Sequence, residues 1–200
     1  STFTNVLATS FSTDVTVELV TNLGAYEVLI RYDSAVVTFV SGSNGAFLSS
    51  TGRTAFCPAP VVDTLTGTLK LLHFGCGTIG AVDGPTGAGT LATITWAPAA
   101  LGSTLLELAP SLADPLGNAI LAAAYGGSVQ VTAGPTPTPT STLTPCPGGI
   151  CPTDTPTLTP TTTPTPTPTP LVDCGVAGTA VCVQPLSETR PKASTFDVPI

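Results

Sequence analysis

The stretch Asn22-Leu-Gly-Ala-Tyr-Glu-Val-Leu-Ile-Arg-Tyr-Asp33 carries the pattern that decides the fold class of this chain. After the Asn-Leu-Gly turn, every second residue from Tyr26 to Tyr32 is apolar or aromatic, and Glu27 and Arg31 stand between them. Successive side chains of a β-strand point to opposite faces, so this alternation predicts a strand with one buried face.

The same alternation recurs on both sides of this stretch. Upstream, Val15, Val17 and Leu19 alternate with Thr16 and Glu18, which predicts another strand with one apolar face. Further strands are predicted over residues 36–40, 68–76, 91–97, 104–108 and 128–132. Short strands separated by turn residues at intervals of roughly 8 to 12 residues are typical of a β-sandwich or a jelly roll. We therefore predict an all-β module over residues 1–133, which is long enough to bury a core.

Two cysteines of this module are placed for a cross-strand disulfide. A hairpin turn is predicted with its centre between Thr66 and Gly67, and Cys57 and Cys76 lie at equal distances from that centre. A disulfide there would stabilise the module by about 3 kcal/mol in chain-entropy terms. The two prolines that follow Cys57 cannot donate ladder hydrogen bonds, which predicts an edge strand or a bulge at this place.

The composition changes abruptly near Ala133, where a proline- and threonine-rich segment begins. Over residues 134–170 this segment is predicted to form a stalk in the polyproline II conformation, about 110 Å long at 3.1 Å per residue. Its threonines are candidates for O-glycosylation, and the alternative is an unmodified flexible spacer. No Asn-x-Ser/Thr sequon occurs in the chain. The candidate sites are Thr136, Thr138, Thr140, Thr155, Thr157, Thr159, Thr163, Thr165, Thr167 and Thr169.

The six cysteines favour an oxidising compartment. Local disulfides are predicted between Cys146 and Cys151 and between Cys174 and Cys182, while pairing between stalk and tail or between chains stays open. The sequence contains no Met and begins Ser-Thr-Phe, from which we expect that a signal peptide has been removed. We therefore predict a secreted or cell-surface protein.

The charge balance excludes several classes of partner. Charged residues are 8% of the chain, compared with roughly 25% in an ordinary soluble domain. Lys and Arg total 5, which is too few to neutralise a phosphate backbone, so no nucleic acid is expected. The net charge of −7 disfavours anionic membranes, and the longest apolar run, residues 119–124, is too short to span a bilayer.

Residues 13–132 resemble the cohesin-like modules of bacterial extracellular scaffolds. The resemblance lies in four blocks that occur in the family's order. They are residues 22–40, residues 87–96 from Gly to Trp, residues 112–120 from Leu to Ile, and the closing Gly-Gly-Ser-Val-Gln-Val at 126–131. The resemblance implies a jelly-roll sandwich of about nine strands, without catalytic activity.

The first dozen residues fit the opening strand of that family poorly, and residues 181–200 of the tail segment 171–200 fit it better. Phe196, Val198 and Ile200 alternate with polar or proline positions, as a strand would. A lone strand after a stalk needs a sheet to join. Our hypothesis is that residues 180–200 act as a donor strand for the next subunit, which would give a head-to-tail polymer. The alternatives are that the tail folds back onto its own module, or that the chain is a piece of a longer protein.

Catalytic and metal sites find little support in the sequence. His73 has no partner at motif spacing, so we predict a packed or half-exposed histidine and no enzymatic activity. Four residues, Asp63, Asp83, Asp114 and Asn118, are predicted to cap turns. Calcium is conceivable at these turns, but no calcium-loop motif is present, and no cofactor is expected.

The aromatic residues are assigned to the core or to sheet edges, with an exposed sugar-stacking platform as the alternative. They are Tyr26, Tyr32, Trp96 and Tyr125. Together these patterns predict a structural subunit of an extracellular filament or cell-surface fibre, whose partners are copies of itself and covalent glycans. The alternative is a protein- or carbohydrate-binding module on a surface or secreted scaffold.

Overall fold

The computed structural model describes residues 3–4, 10–133, 142–146, 149–154, 178–184, 187–192 and 195–196. These residues form strands and turns, with one short 3-10 turn at Phe47–Ser49. The strands are β1 Phe3–Thr4, β2 Phe11–Val20, β3 Ala25–Asp33, β4 Val37–Asn44, β5 Thr54–Phe56, β6 Val61–Thr66, β7 Leu69–Ile79, β8 Gly87–Pro98, β9 Gly102–Ala113, β10 Ala119–Ile120, β11 Ala123–Tyr125, β12 Gly127–Ala133, β13 Thr142–Cys146, β14 Gly149–Asp154, β15 Ala180–Gln184, β16 Ser187–Lys192 and β17 Thr195–Phe196.

The chain divides into two compact units, of which Ser1–Ala133 with Leu171–Ile200 is the first. The second unit, Gly134–Pro170, contains the antiparallel pair β13 and β14. The sequence predicts that a small loop from Cys146 to Cys151 interrupts the extended stalk, and the hairpin lies at the same residues. Cys146 is opposite Gly149 in this pair. The pairing of Cys146 with Cys151 stays a prediction.

Two sheets face each other in the first unit. The five-stranded sheet has the order β11-β15-β2-β8-β4, and the eight-stranded sheet runs β16-β12-β9-β3-β7-β5, with β10 paired to β9 and β6 to β7. The core between them contains fully buried side chains from both sheets, among them Trp96, Ile94, Ile30 and Leu72. The predicted all-β sandwich is confirmed.

The predicted alternation in β3 is confirmed residue by residue, because Tyr26, Val28, Ile30 and Tyr32 are all buried. Tyr32 packs edge-on against Trp96 with ring centroids 4.9 Å apart. The Tyr26 hydroxyl donates to the carbonyl oxygen of Leu91 at 2.6 Å, and burial raises the pKa of this hydroxyl. These aromatic side chains are therefore part of the core.

The prediction for Leu19 is wrong. A β-bulge shifts the register of β2 against β8 between Val17 and Val20, so that the alternation breaks at this point. As a result Glu18 is 7% exposed and Leu19 is 58% exposed. Leu19 has φ +52°, in the left-handed region that residues with a side chain rarely adopt.

The Cys57–Cys76 disulfide is present, with the two Cα atoms 4.2 Å apart. The predicted turn centre is off by one step, because Thr66 pairs with Leu69. A bulge in β6 and the proline-containing break between β5 and β6 return the register, so that Phe56 pairs with Gly77. This break agrees with the predicted effect of the two prolines on the ladder.

Candidate strand-insertion site

Strand β15, Ala180–Gln184, lies in the interior of the five-stranded sheet, although the stalk separates it from the rest of that sheet in sequence. It pairs antiparallel with β2 on one side and parallel with β11 on the other. Within the antiparallel ladder Ala180 is opposite Glu18 and Gln184 is opposite Asp14. The tail thus contributes an internal strand.

The side chains of this strand are buried on both faces of the sheet. Four consecutive residues from Ala180 to Val183 have no exposed surface. Val181 and Val183 belong to the same core cluster as their β2 neighbours Val17 and Val15. Full burial of a valine contributes about 1.5–3 kcal/mol, so the two valines alone give several kcal/mol.

The site without β15 would be an open slot. In the described part of the chain, β11 pairs with no strand other than β15, and β2 has β8 on its opposite side. Removal of β15 would therefore leave unpaired backbone groups along β2 and β11, and it would expose the core at Val15 and Val17.

The tail follows the last strands of the module along their whole length. β15 runs parallel to β11, and β16 continues parallel to β12, which places the tail in both sheets. Ala123 is opposite Ala180 at the start, and Ala133 is opposite Lys192 at the end. Ala133, the last residue of the module, therefore lies at the end opposite to the one where the tail enters.

The entry of the tail is fixed by two hydrogen bonds at Thr179. Its hydroxyl donates to the carbonyl oxygen of Leu19 at 3.0 Å, and its own carbonyl accepts the backbone N–H of Ala123 at 3.0 Å. Thr179 is therefore held from both strands that flank the slot.

Cys182 lies in the inserted strand and is disulfide-bonded. Its partner and Cys174 lie outside the described residues, so the predicted Cys174–Cys182 pairing stays a prediction. Because Cys182 has no exposed surface, the disulfide sulfur is shielded from solvent once the strand is in place.

The predicted donor residues lie further along the tail than the inserted strand. Phe196 is in β17, where it pairs with Phe3, and Val198 and Ile200 lie outside the described residues. The predicted donor segment, residues 180–200, includes β15, but alternation favours Phe196, Val198 and Ile200 over Ala180–Gln184. The signal was the continuous apolar run Ala180-Val-Cys-Val183, which is typical of a strand buried on both faces.

His73 lies on the outer face of the eight-stranded sheet with a carboxylate on each side. Its Nε2 is 3.3 Å from Oδ2 of Asp63, and its Nδ1 is 3.9 Å from Oε1 of Glu27. Asp63 therefore lies in β6 beside this histidine, and its assignment to a turn is wrong. A shallow open cleft of about 570 Å³ adjoins the three side chains and includes Phe56 and Pro58.

The turn Asp114–Asn118 has the predicted capping geometry. Oδ1 of Asp114 accepts the backbone N–H groups of Leu116 and Asn118 at 2.8 and 2.9 Å. Hydrogen bonds from Asn118 lower the pKa of Asp114. Among the described residues, no group of three or more His, Cys, Asp or Glu side chains is arranged to hold a metal ion. The absence of a cofactor stays a prediction.

The candidate O-glycosylation threonines are not tested by this geometry. Thr155, Thr157, Thr159 and the candidates beyond them, as well as Thr136, Thr138 and Thr140, lie outside the described residues. No helix in the described part of the chain is long and apolar enough to cross a membrane.

No family model and no curated protein matches this sequence. Among solved structures, the chain is similar to a non-cellulosomal cohesin from the hyperthermophilic archaeon Archaeoglobus fulgidus. The identity is 15%, the match covers 63% of this chain and 83% of the cohesin, and the TM-score is 0.45.

Two cohesins from Acetivibrio cellulolyticus are similar as well. The second type II cohesin of the adaptor scaffoldin ScaA is 18% identical, with 60% of this chain and 80% of that chain covered and a TM-score of 0.47. The sixth cohesin of scaffoldin B, solved with a Cel5 dockerin, is 13% identical, with 62% and 89% covered and a TM-score of 0.44. The likeness concerns the fold of the module, which is a β-sandwich.

Proposed function

We propose that this chain is a structural subunit of an extracellular filament or cell-surface fibre, in which each subunit donates its tail strand to the sandwich of the next. The observation that carries the proposal is the path of the tail, which enters at Thr179 and runs parallel to the strands that end at Ala133. The stalk of the acceptor therefore departs from the end opposite to the one that receives the donor's tail. Such a contact is heterologous, and repeated without closure it gives a filament with a direction.

The length of the stalk favours exchange between subunits. From Ala123 to Ala133 the module measures about 30 Å along its strands, at roughly 3.3 Å per residue. Outside the β13–β14 hairpin the stalk has about 24 residues, which would together span roughly 75 Å in the polyproline II conformation, more than twice the length of the module. In one isolated chain the tail fills its own slot, and the same contacts are available to the slot of a neighbour.

The stalk completes the proposal. Between modules, Pro-Thr repeats would act as spacers, and O-linked glycans on their threonines would stiffen and protect the exposed segments. The low charge of the chain, 8% of residues, leaves glycans as a natural source of solubility on an extracellular fibre.

Negative-stain electron microscopy of the full chain and of Val183→Asp tests this proposal. A carboxylate at position 183 would be buried against Val15, so the tail cannot enter any slot. The matched control is Val40→Asp, which changes a half-exposed valine on β4 away from the tail.

We expect filaments from the full chain and from Val40→Asp, and no filaments from Val183→Asp. Equal polymerisation of all three chains would overturn tail donation. If every chain, including the unchanged one, stays monomeric at high concentration, the filament proposal is wrong. Binding of a protein or glycan by such monomers would then favour the alternative of a binding module.

A further inference from the structure

The bulge in β2 is unfavourable for the module by itself. The backbone of Leu19 has φ +52°, in the left-handed region that L-residues avoid. The bulge also turns the Leu19 side chain outward, where it is 58% exposed. The same bulge buries Glu18. Backbone strain of this kind persists only where the surrounding structure holds the residue in place, and it is often found at functional sites.

The bulge faces the tail at its entry. It ends the regular ladder between β2 and β8 at Val17, and it presents the carbonyl oxygen of Leu19 to the Thr179 hydroxyl. Next to it, Glu18 pairs with Ala180, which is the smallest side chain of the inserted strand. On the β2 side, the first two described contacts of the tail are thus made with the two bulge residues.

The apolar pattern of the inserted strand sets its register only in part. A slip of one residue would turn Val181 and Val183 away from the core, so the apolar pattern excludes it. A slip of two residues keeps both faces, because Val181 would then take the place of Val183 opposite Val15 and Thr179 would lie opposite Val17. The apolar pattern therefore disfavours a two-residue slip less strongly than a one-residue slip.

We propose that the bulge at Glu18 and Leu19 is a register lock for the tail strand. The Leu19 carbonyl accepts the Thr179 hydroxyl only when Ala180 lies opposite Glu18, and every two-residue slip breaks this hydrogen bond. This inference rests on the proposed function for its biological use, since a polymer needs the same register at each joint. The lock itself acts on any inserted tail, whether it belongs to the same chain or to a neighbour.

Thr179→Val tests the lock, because it removes the hydroxyl and keeps the shape of the side chain. In the full chain, held monomeric at low concentration, amide hydrogen exchange over residues 180–184 should become about five-fold faster, as expected for one lost hydrogen bond. Nuclear Overhauser contacts between β15 and β2 should show a second set of pairs displaced by two residues. The matched control is Thr38→Val, whose hydroxyl donates to the Ala97 carbonyl at 3.3 Å in another part of the sheet.

Deletion of Leu19 is the second variant, since it converts the bulge into regular ladder. Fluorescence of the buried Trp96 reports whether the module still folds. A folded deletion variant should show the displaced pairs more strongly than Thr179→Val does. If it does not fold, Thr179→Val decides alone.

An unchanged single register and unchanged exchange in Thr179→Val would overturn the lock. Faster exchange in Thr38→Val to the same extent would also overturn it, because the effect would then be general to the sheet. Neither result depends on filament formation. A monomer with a locked tail that never polymerises would refute the proposed function and leave the register lock in place.

Discussion

The two sides of the sandwich are completed in different ways. On one side, the edge formed by β5 and β6 pairs with β7 within the same hairpin, and a disulfide from Cys57 to Cys76 spans 19 residues. On the other side, β2 pairs with a strand that begins at Ala180, beyond the whole stalk. We call these the local side and the inserted side.

This difference between the local side and the inserted side shows where two copies of the chain can exchange a strand. The local side is held by contacts of short sequence separation and by a covalent bond, so loss of the tail leaves it intact. The inserted side depends on a segment whose connection to the module is long, and chain connectivity therefore does not decide which copy supplies it. Exchange between copies is expected only on the inserted side.

Truncation after residue 177 should have the largest effect on this contrast. It removes Val181 and Val183 from the core, and we expect the free energy of unfolding to fall by roughly 5 kcal/mol. Urea denaturation followed by Trp96 fluorescence measures the loss. A synthetic peptide of residues 178–192 should restore most of it, while an unchanged unfolding midpoint would show that the slot does not need a strand.

Replacement of both Cys57 and Cys76 by Ala should come next. Loss of a disulfide that closes a loop of 19 residues is expected to destabilise the module by about 3 kcal/mol. Filament yield, measured by sedimentation below the unfolding temperature, should not change, because the local side has no part in the joint. If the folded double variant formed fewer filaments, the local side would take part in the contact between subunits, and the distinction between the two sides would be wrong.

Thr13→Val is a smaller change in the core next to the slot. The Trp96 indole N–H donates to the Thr13 hydroxyl at 2.9 Å, and both residues are buried. Loss of the acceptor leaves a buried donor unpaired, so we expect a cost of about 1–3 kcal/mol in chemical denaturation. The tail should keep its register, as amide exchange over β15 can verify. If amide hydrogen exchange increased over β15 alone, Thr13 would stabilise the inserted tail and not the core as a whole.

Asp114→Ala should have the smallest effect, confined to one exposed turn. The pKa of Asp114 is lowered in the folded chain, so its stabilising hydrogen bonds are fully present above the ordinary carboxyl pKa of about 4 and are lost as pH falls through the lowered value. The protection factors of the Leu116 and Asn118 amides, which correct for the pH dependence of intrinsic exchange, should therefore fall in the variant at pH 7 and should fall in the unchanged chain only in acid. Equal exchange in both chains at pH 7 would contradict the role of the carboxylate.

The sequence predicts the local side well and the inserted side only in outline. Alternation in β3 and the symmetric placement of Cys57 and Cys76 follow from neighbouring residues, and the structure contains both. The bulge at Leu19 interrupts a pattern that looks regular in sequence, since Val-x-Val-x-Leu gives no local sign of an extra residue. Register of this kind is set by the partner strand.

The position of the inserted strand was harder to predict for another physical reason. Ala180 is opposite Glu18 on one side and Ala123 on the other. Both partners are distant from Ala180 in sequence, so neighbouring residues do not reveal its environment. The sequence predicts that the tail donates a strand but favours Phe196, Val198 and Ile200, because alternation marks a half-buried strand better than a fully buried one. Which copy supplies the strand is a property of the assembly.

A cross-linking experiment with mixed isotopes tests the central claim most directly. Gln184→Lys places an amine opposite the Asp14 carboxylate, and a carbodiimide can join the two in the native register. Equal amounts of ¹⁴N- and ¹⁵N-labelled chains are mixed in the monomeric state, assembled and cross-linked, and the joined peptides are weighed. Donation between subunits predicts that about half of the joined peptides combine the two isotopes, as random exchange between identical copies requires. Joined peptides of a single isotope only would show that each tail remains in its own module.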